Sequence, residues 1–332
     1  MEPALSVILT TRDSFEVVRE TVRHVVAQTI AKRIELVLVT PSRSTLAVDE
    51  SAVNGLGCWQ LVEEPSVRSV GHGNAVGVMS ARAPIVLFAE DHAFPLSDCA
   101  ERLLAAHQRP VVAVGPGIEC ANPVNAVSWA DLIIGYGPWL VPAREGPVEF
   151  LPGHNSSYKR SALLRYGDQL PAFLEAETLL HWDMRQRGEV LWLEPRARVR
   201  HTNFARWDVW LGAMFHGGRV FAAARASRWD WRRRAMFVVG SPLIPVVRMW
   251  RLWSAVRRVG RWSALPALAV GLTADGVGQC CGYLLGAGRS AELVPQYEFN
   301  RRSVNERGLK GVGAGGKSSV EKAGVGAYKA NR

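Results

Sequence analysis

Short apolar runs alternate with helical patterns in the first part of the chain. Leu5–Thr10 and Ile34–Val39 are strand-like, and Phe15–Thr29 between them carries valines at a helical spacing. The same alternation continues through Trp59–Val62, Gly73–Ala83, Ile85–Phe88 and Leu191–Arg200. Strand–helix–strand repetition with short connections predicts an α/β domain with a doubly wound, mostly parallel sheet flanked by helices.

Ligands of such sheets bind beyond the carboxyl ends of the strands, which makes three strand exits candidate sites: Thr10–Asp13, Thr40–Ser44 and Ala89–His92. The third exit has three potential metal ligands in a row, because Glu90, Asp91 and His92 directly follow a buried strand. Together with His201, at the end of another strand, these groups are candidate ligands of a divalent cation. The structural alternative is that Asp91 caps a turn and the histidines are ordinary polar residues.

Basic and aromatic residues are concentrated in one later segment. Between Arg228 and Trp262 there are nine arginines, one acidic residue and five of the twelve tryptophans. They flank the apolar run Ala235–Val247, and a second apolar stretch, Ala264–Ala287, follows. Arginine and tryptophan beside apolar segments are typical of helices at the surface of an anionic membrane. Because prolines break the first run and Asp275 interrupts the second, we expect in-plane or re-entrant helices rather than a clean crossing.

Charge and cysteine content narrow the partners and the compartment. The 332-residue chain has a net charge of +10, which indicates a polyanionic partner such as nucleic acid, a phosphorylated substrate or anionic lipid. A solvated basic helix and nucleic-acid binding are alternatives for the basic segment, but no nucleic-acid-binding motif accompanies the charge. Five cysteines without a CxxC pair suit a reducing cytoplasm, and the amino terminus has no secretory signature.

Five segments follow one another in an order that belongs to a known family. They are Ser6–Arg12, Val67–Gly77, Glu90–His92, Leu151–Arg160 and Phe173–Met184. Their order and spacing over about residues 4–203 resemble the family 2-like inverting glycosyltransferases of GT-A fold. That nucleotide-sugar family includes dolichol-phosphate mannose synthases and many bacterial polysaccharide transferases. The resemblance implies a GT-A fold and transfer of a sugar from a nucleotide diphosphate.

The resemblance also implies roles for individual residues. Contacts to the donor or acceptor fall on Thr10, Thr11, Arg12, Arg68, Asn74, His154 and Asn155. The expected ligands of the cation, Mn²⁺ or Mg²⁺, are Glu90, Asp91, His92 and His201, and the imidazole ligands favour manganese. The expected general base is Glu177, and the neighbouring Glu175 is the alternative. From the residues alone, Asn155 could equally be a helix cap, and Glu177 an acid in a first helical turn.

Two motifs depart from the family pattern. The second strand usually ends in an acidic pair that holds the nucleobase, but here the exit is Thr40-Pro41-Ser42-Arg43-Ser44, without a carboxylate. The resemblance therefore does not assign the nucleotide. The metal motif is Glu-Asp-His instead of Asp-x-Asp, so we expect Asp91 and His92 near the cation, with Glu90 a ligand or just behind one.

We expect residues 1–205 to form the catalytic domain, 206–300 a basic membrane-associated helical region and 301–332 a disordered tail. The predicted function is metal-assisted, inverting glycosyl transfer to a lipid-linked or polysaccharide acceptor. The predicted location is the cytoplasmic side of the membrane, with the chain peripheral or monotopic and in contact with anionic lipid. The main alternative is a non-catalytic, membrane-bound binding or scaffold protein of the same fold. A nucleotidyltransferase is less favoured, because Thr10–Ser14 has no glycine-rich loop.

Overall fold

Nine strands form one mixed sheet at the centre of the protein. The structure, a computed structural model, describes residues 2–308. The strands are β1 Leu5–Thr10, β2 Ile34–Thr40, β3 Cys58–Glu63, β4 Ile85–Ala89, β5 Ala93–Pro95, β6 Ala113–Cys120, β7 Gly146–Val148, β8 Ser157–Lys159 and β9 Leu191–His201. Their order is β3-β2-β1-β4-β8-β6-β9-β5, and β7 also pairs with β9. The pairs among β1 to β4 and the β6–β9 pair are parallel, which agrees with the predicted mostly parallel sheet.

Fourteen α-helices lie in the described part of the chain. The first eight are α1 Phe15–Val26, α2 Arg43–Leu46, α3 Val70–Ser80, α4 Cys99–Ala106, α5 Ala126–Tyr136, α6 Arg160–Leu164, α7 Leu170–Leu174 and α8 Glu177–Gln186. The last six are α9 Trp207–Arg225, α10 Trp231–Gly240, α11 Ile244–Val259, α12 Leu265–Leu285, α13 Ser290–Glu298 and α14 Arg301–Arg307. Helix α3 begins three residues earlier than its apolar pattern predicts, because the Ser69 hydroxyl accepts a hydrogen bond from His72 N and caps the helix.

The apolar residues of β1 alternate between two cores, one on each face of the sheet. Leu5, Val7 and Leu9 pack into the core that α1 covers, and Ile8 packs into the opposite core with Val78 of α3. Because both faces are covered, every residue of β1 is buried. This burial explains why the first strands are nearly continuous apolar runs in the sequence.

The sheet brings two distant parts of the chain to the same edge. Strand β4 ends at Ala89, and the short strand β5 begins four residues later. Ala93 of β5 pairs with His201 at the end of β9, and Thr202 N donates a hydrogen bond to His92 O. The loop 90–92 therefore lies directly against the end of β9.

The helices after β9 pack onto the sheet domain and also onto one another. Trp210 of α9, Leu252 of α11 and Leu268 of α12 belong to the same buried core as β1. Close approach of α9 and α12 depends on small residues, since a Cβ at Gly278 would lie 2.1 Å from the Phe215 carbonyl oxygen. The helical region 206–300 is thus attached to the sheet domain through a common core.

Two segments are long and apolar enough to cross a membrane by length and composition: Trp231–Val259 and Trp262–Leu285. They differ in burial, with 11% of the first window and 50% of the second inside the protein. The first segment exposes large apolar side chains, among them Trp231, Val239 and Trp250. A proline-containing 3-10 turn, Ser241–Leu243, separates α10 from α11 within this segment.

The carboxyl-terminal part differs from its prediction over seven residues. Residues 301–332 were expected to be a disordered tail, but Arg301–Arg307 form helix α14, which Asn300 caps by accepting a hydrogen bond from Ser303 N. Arg301 and Val304 are buried against the domain, and this packing stabilises a segment whose polar composition predicts no structure. The prediction for residues 309–332 lies outside the described residues.

Candidate active site

Three potential metal ligands lie together at the carboxyl edge of the sheet. Glu90 follows β4, His92 precedes β5 and His201 ends β9, and their ligand atoms all lie within 4.8 Å of one another. Glu90 Oε1 is 3.6 Å from His92 Nε2, and Glu90 Oε2 is 3.6 Å from His201 Nε2. Two ligands bound to one ion at about 2.1 Å lie roughly 3.0–3.4 Å apart, so a small shift brings this group to a divalent cation.

Both histidines are oriented by a hydrogen bond at the ring nitrogen that points away from Glu90. His92 Nδ1 lies 2.5 Å from Asp91 Oδ1, and His201 Nδ1 lies 2.8 Å from Asn203 Oδ1. This pairing fixes which ring nitrogen faces the centre, as it does around bound metals. We expected Asp91 near the cation. Its carboxylate instead contacts the His92 ring nitrogen that points away from Glu90, so Asp91 lies behind His92.

The protonation states of the group suit a cation. Burial raises the pKa of Glu90, but the facing His154, His92 and His201 lower it to about 2. Burial lowers the pKa of His201 to about 3, so this imidazole is neutral at pH 7. In the described residues, the buried His92 Nε2 has no hydrogen-bond partner, which leaves a lone pair or proton aimed at the centre. A carboxylate and two imidazole nitrogens placed in this way fit a divalent transition metal.

Glu177 faces the same cavity from the first turn of α8. Gly153 makes its position possible, because a Cβ at residue 153 would lie 2.4 Å from Glu177 Cδ. Burial raises the pKa of Glu177 above its ordinary value, against the opposing charge of His154. Glu175 is instead exposed and accepts a hydrogen bond from the Ser69 hydroxyl, so it lies outside the cavity lining.

His154 lies between the Glu90 group and Glu177. Its Nε2 is 3.2 Å from Glu177 Oε1, and its Nδ1 is 4.0 Å from Glu90 Oε1. Burial lowers the pKa of His154, but the two carboxylates raise it to about 9, which makes the imidazole a cation at neutral pH. Asn155 Nδ2 donates a hydrogen bond of 2.8 Å to Glu90 Oε2, and this residue has a left-handed φ of 65°. The backbone at 153–155 thus presents two side chains to the carboxylates.

The predicted nucleotide contacts lie at the ends of β1 and around α3. Thr10 Oγ1 donates a hydrogen bond of 3.1 Å to Asn74 Oδ1, and both residues are buried. Thr11 is buried and accepts from Asp13 N, whereas Arg12 and Arg68 are exposed. Thr10 and Asn74 are therefore in contact, and the two arginines are free to meet a ligand from solvent.

A carboxylate also lies beside the second strand exit, although the exit itself contains none. Glu63 ends β3, pairs in register with Thr40 and accepts a hydrogen bond of 3.0 Å from Arg43 N. Sequence reasoning missed this residue, because the strand pairing that brings it to the exit is a tertiary feature.

A cavity of about 320 Å³ is lined by Glu90, His201, His154 and Glu177. Its lining includes residues that the sequence patterns did not single out: Asp131, Tyr136, Phe204, Tyr297, Glu298 and Arg301. Burial raises the pKa of Glu298 to about 7. Three of these residues, Tyr297, Glu298 and Arg301, come from the carboxyl-terminal helices, which no local motif connects with the site.

A larger cavity of about 750 Å³ adjoins the first one. The two share Gly135, Trp139 and Thr178 in their lining. The remaining lining of the larger cavity is mostly apolar and comes from α9 to α12, with three arginines, Arg225, Arg248 and Arg251. A mostly apolar cavity with basic groups thus lies between the candidate active site and helices α9 to α12.

The sheet topology and the helices on both of its faces define a GT-A glycosyltransferase fold. Residues 6–167 match the sequence model of the family described as glycosyl transferase family 2. Residues 6–167 are therefore similar to a family 2 glycosyltransferase domain. No curated protein matches the chain in a sequence comparison.

Two solved glycosyltransferase structures are similar to the chain at low sequence identity. TarS 1-349 of S. aureus in complex with UDP is 14% identical with a TM-score of 0.46, covering 84% of this chain and 90% of that one. The mannosyltransferase PcManGT of Pyrobaculum calidifontis, in complex with GDP-Man and Mn²⁺, is 16% identical with a TM-score of 0.49. The second similarity covers 92% of this chain and 88% of that one.

Proposed function

We propose that the protein transfers a sugar, with inversion, from a nucleotide-diphosphate donor to a lipid-linked or polysaccharide acceptor at the cytoplasmic membrane face. One observation carries the proposal: Glu177 faces Glu90 and His201 of the candidate metal group across a single cavity, with His154 between them. A displacement at an anomeric carbon needs charge stabilisation on the leaving side and proton removal on the attacking side. The two halves of this cavity match those two requirements.

Glu90, His92 and His201 would hold the cation, Mn²⁺ or Mg²⁺, and the two imidazoles favour manganese. When bound, the cation would offset the negative charge that develops on the diphosphate. Asp91 and Asn203 would keep the two imidazole rings in a single orientation. Thr10, Thr11, Arg12, Arg68 and Asn74, at the neighbouring strand end and helix, would bind the nucleotide.

Glu177 would accept the proton of the acceptor hydroxyl. Its raised pKa brings the carboxylate closer to the operating pH, which strengthens it as a base. The His154 imidazolium would hold the Glu177 side chain and, with Asn155, contact the sugar or acceptor. A single base and a single displacement invert the anomeric configuration, because the acceptor attacks the face opposite to the leaving diphosphate.

The larger cavity supports a membrane-bound acceptor. Its apolar walls suit a lipid chain, its arginines suit a phosphate, and it meets the catalytic cavity at Thr178, next to Glu177. The exposed tryptophans of α10 and α11 and the surrounding arginines suit an anionic leaflet. The five free cysteines fit the reducing cytoplasmic side. Residues 1–205 would then be catalytic, and residues 206–300 would hold them at the membrane.

A donor screen tests the proposal. The full chain, solubilised in detergent, is incubated with a panel of nucleotide sugars and Mn²⁺, and release of the nucleoside diphosphate is measured. We expect turnover of one donor or a small set, and its suppression by a chelator. Binding of nucleotides without turnover of any donor, even with membrane lipid extract as acceptor, would contradict the proposal and favour the non-catalytic scaffold.

A further inference from the structure

The helix pair α13–α14 forms part of the wall of the candidate active site. Asn300 N, between the two helices, donates a hydrogen bond of 2.7 Å to Asp91 Oδ2. Asn305 Oδ1 accepts from Ala205 N at 3.1 Å, and Asn305 Nδ2 donates to Asn203 O at 2.9 Å. The pair is therefore bound to the two loops that orient His92 and His201.

This packing brings the Arg301 guanidinium into the cavity that Glu90, His201 and Glu177 line. Arg301 is only 9% exposed, and its Cζ lies 3.7 Å from the centre of the Phe204 ring. Stacking on the ring covers one face of the guanidinium and leaves its edge, which carries the N–H donors, to polar partners.

The hydrogen-bonding capacity of Arg301 is largely unused within the part of the chain that the structure describes. Its Nε is buried without a partner, and the shortest ion pair, from Nη1 to Asp131 Oδ2, is 3.7 Å long. Asp131 already accepts hydrogen bonds from Trp210 Nε1 and from Phe204 N, each at 2.9 Å. A buried guanidinium with unfilled donors is costly, and an anionic ligand in the cavity removes that cost.

We propose that Arg301 binds the diphosphate of the nucleotide donor, as a phosphate ligand supplied by the carboxyl-terminal helix pair. This inference rests on the proposed function, since it names a further residue of the same donor site. The planar fork of a guanidinium donates two parallel hydrogen bonds to one phosphate, which matches the unfilled edge of Arg301. A diphosphate between Arg301 and the cation group would be neutralised from both sides. The donor site is then complete only when α13–α14 is docked.

Binding of inorganic pyrophosphate in the presence of Mg²⁺, measured by calorimetry on the detergent-solubilised full chain, tests the inference. Arg301→Met removes the donors, Arg301→Lys keeps the charge without the fork, and Arg302→Met is the matched control, because Arg302 is 85% exposed. We expect the affinity to fall by ~10- to ~100-fold for Arg301→Met and by less for Arg301→Lys. Arg302→Met should bind within about twofold of the wild type.

A folded Arg301→Met protein that binds pyrophosphate as tightly as the wild type would overturn the inference. If Arg301→Met does not fold, judged by its melting temperature, Arg301→Lys is used instead, since it keeps a cation beside Asp131. A folded Arg301→Lys protein with the pyrophosphate affinity of the wild type would then overturn the inference. Failure of the wild type to bind pyrophosphate would also overturn it. The donor screen tests the proposed function separately. If the wild type turns over a donor but Arg301→Met binds pyrophosphate as tightly as the wild type, the inference about Arg301 fails and the proposed function stands.

Discussion

The imidazole of His154 lies 3.2 Å from the carboxylate of Glu177, in the first turn of α8. The same ring is 4.0 Å from Glu90, which belongs to the candidate metal group. One half-buried imidazolium thus lies between the two carboxylates on which the proposed chemistry depends. Gly153, the residue before His154, lies so close to Glu177 that a Cβ there would be 2.4 Å from the Glu177 carboxyl carbon.

Gly153→Ala tests that steric relationship. The added methyl group would overlap the Glu177 carboxyl carbon at 2.4 Å and displace the side chain. We expect a turnover rate at least ~10-fold lower, because a misplaced catalytic group loses its aligned geometry. The measurement is nucleoside diphosphate release from the donor found by the screen. Ala105→Ser, which adds one heavy atom at an exposed position of α4, is the control; equal losses in both variants would count against the relationship.

Asp91→Asn tests the orientation of the metal group. Asp91 accepts from the His92 ring and from Asn300 N, so the change weakens the anchor of His92 without removing a ligand. We expect Mn²⁺ affinity, measured by calorimetry, to fall ~10- to ~100-fold, and His201→Ala to cause a larger loss. Glu50→Gln, a change at an exposed carboxylate in the turn Glu50–Val53, is the control. Unchanged affinity in both Asp91→Asn and His201→Ala would remove the metal assignment.

The exposed tryptophans of α10 and α11 should hold the protein on anionic membranes. Trp231 and Trp250 are 73% and 77% exposed, and arginines surround them. We expect Trp231→Ser with Trp250→Ser to weaken co-sedimentation with vesicles that contain phosphatidylglycerol, and high salt to weaken the wild type as well. Lys32→Gln, an exposed change on the sheet domain, serves as the control. Equal binding to neutral and anionic vesicles would contradict the role of the arginines.

Two buried histidines should make stability fall below neutral pH. Burial lowers the pKa of His107 to about 4 and that of His181 to about 3. As pH falls below the unfolded value of about 6.5, the unfolded chain binds protons that the folded chain does not, so each histidine costs up to ~1.4 kcal/mol per pH unit. The melting temperature should fall from pH 7 to pH 5, and less steeply in His107→Gln. Parallel profiles would show that His107 does not contribute.

The sheet was predictable because burial on both faces leaves continuous apolar runs in the sequence. Strands β1, β2 and β4 were predicted within one residue of their observed bounds, and the exit after β4 was identified as a candidate site. The return of His201 to that exit followed from its place at the end of a strand. The roles of the individual residues remain predictions of the motif order.

The carboxyl-terminal wall of the cavity could not be predicted in this way. Asn300 and Asp91, which are hydrogen-bonded, are 209 residues apart, and nothing in the polar sequence around Arg301 marks it as buried. Its burial comes from tertiary packing on Phe204 and Asp131. Glu63 shows the same limit on a smaller scale, because strand pairing alone brings it to the second exit.

The proposed transfer reaction depends most on Glu177 as its base, and the variant Glu177→Gln tests this role directly. The amide keeps the size of the side chain but cannot accept the proton, so we expect turnover to fall ~10²- to ~10⁴-fold with nucleotide binding unchanged. Glu175→Gln, two residues away and outside the cavity lining, should keep most of the activity. Normal turnover by Glu177→Gln, or loss in Glu175→Gln alone, would contradict the central claim.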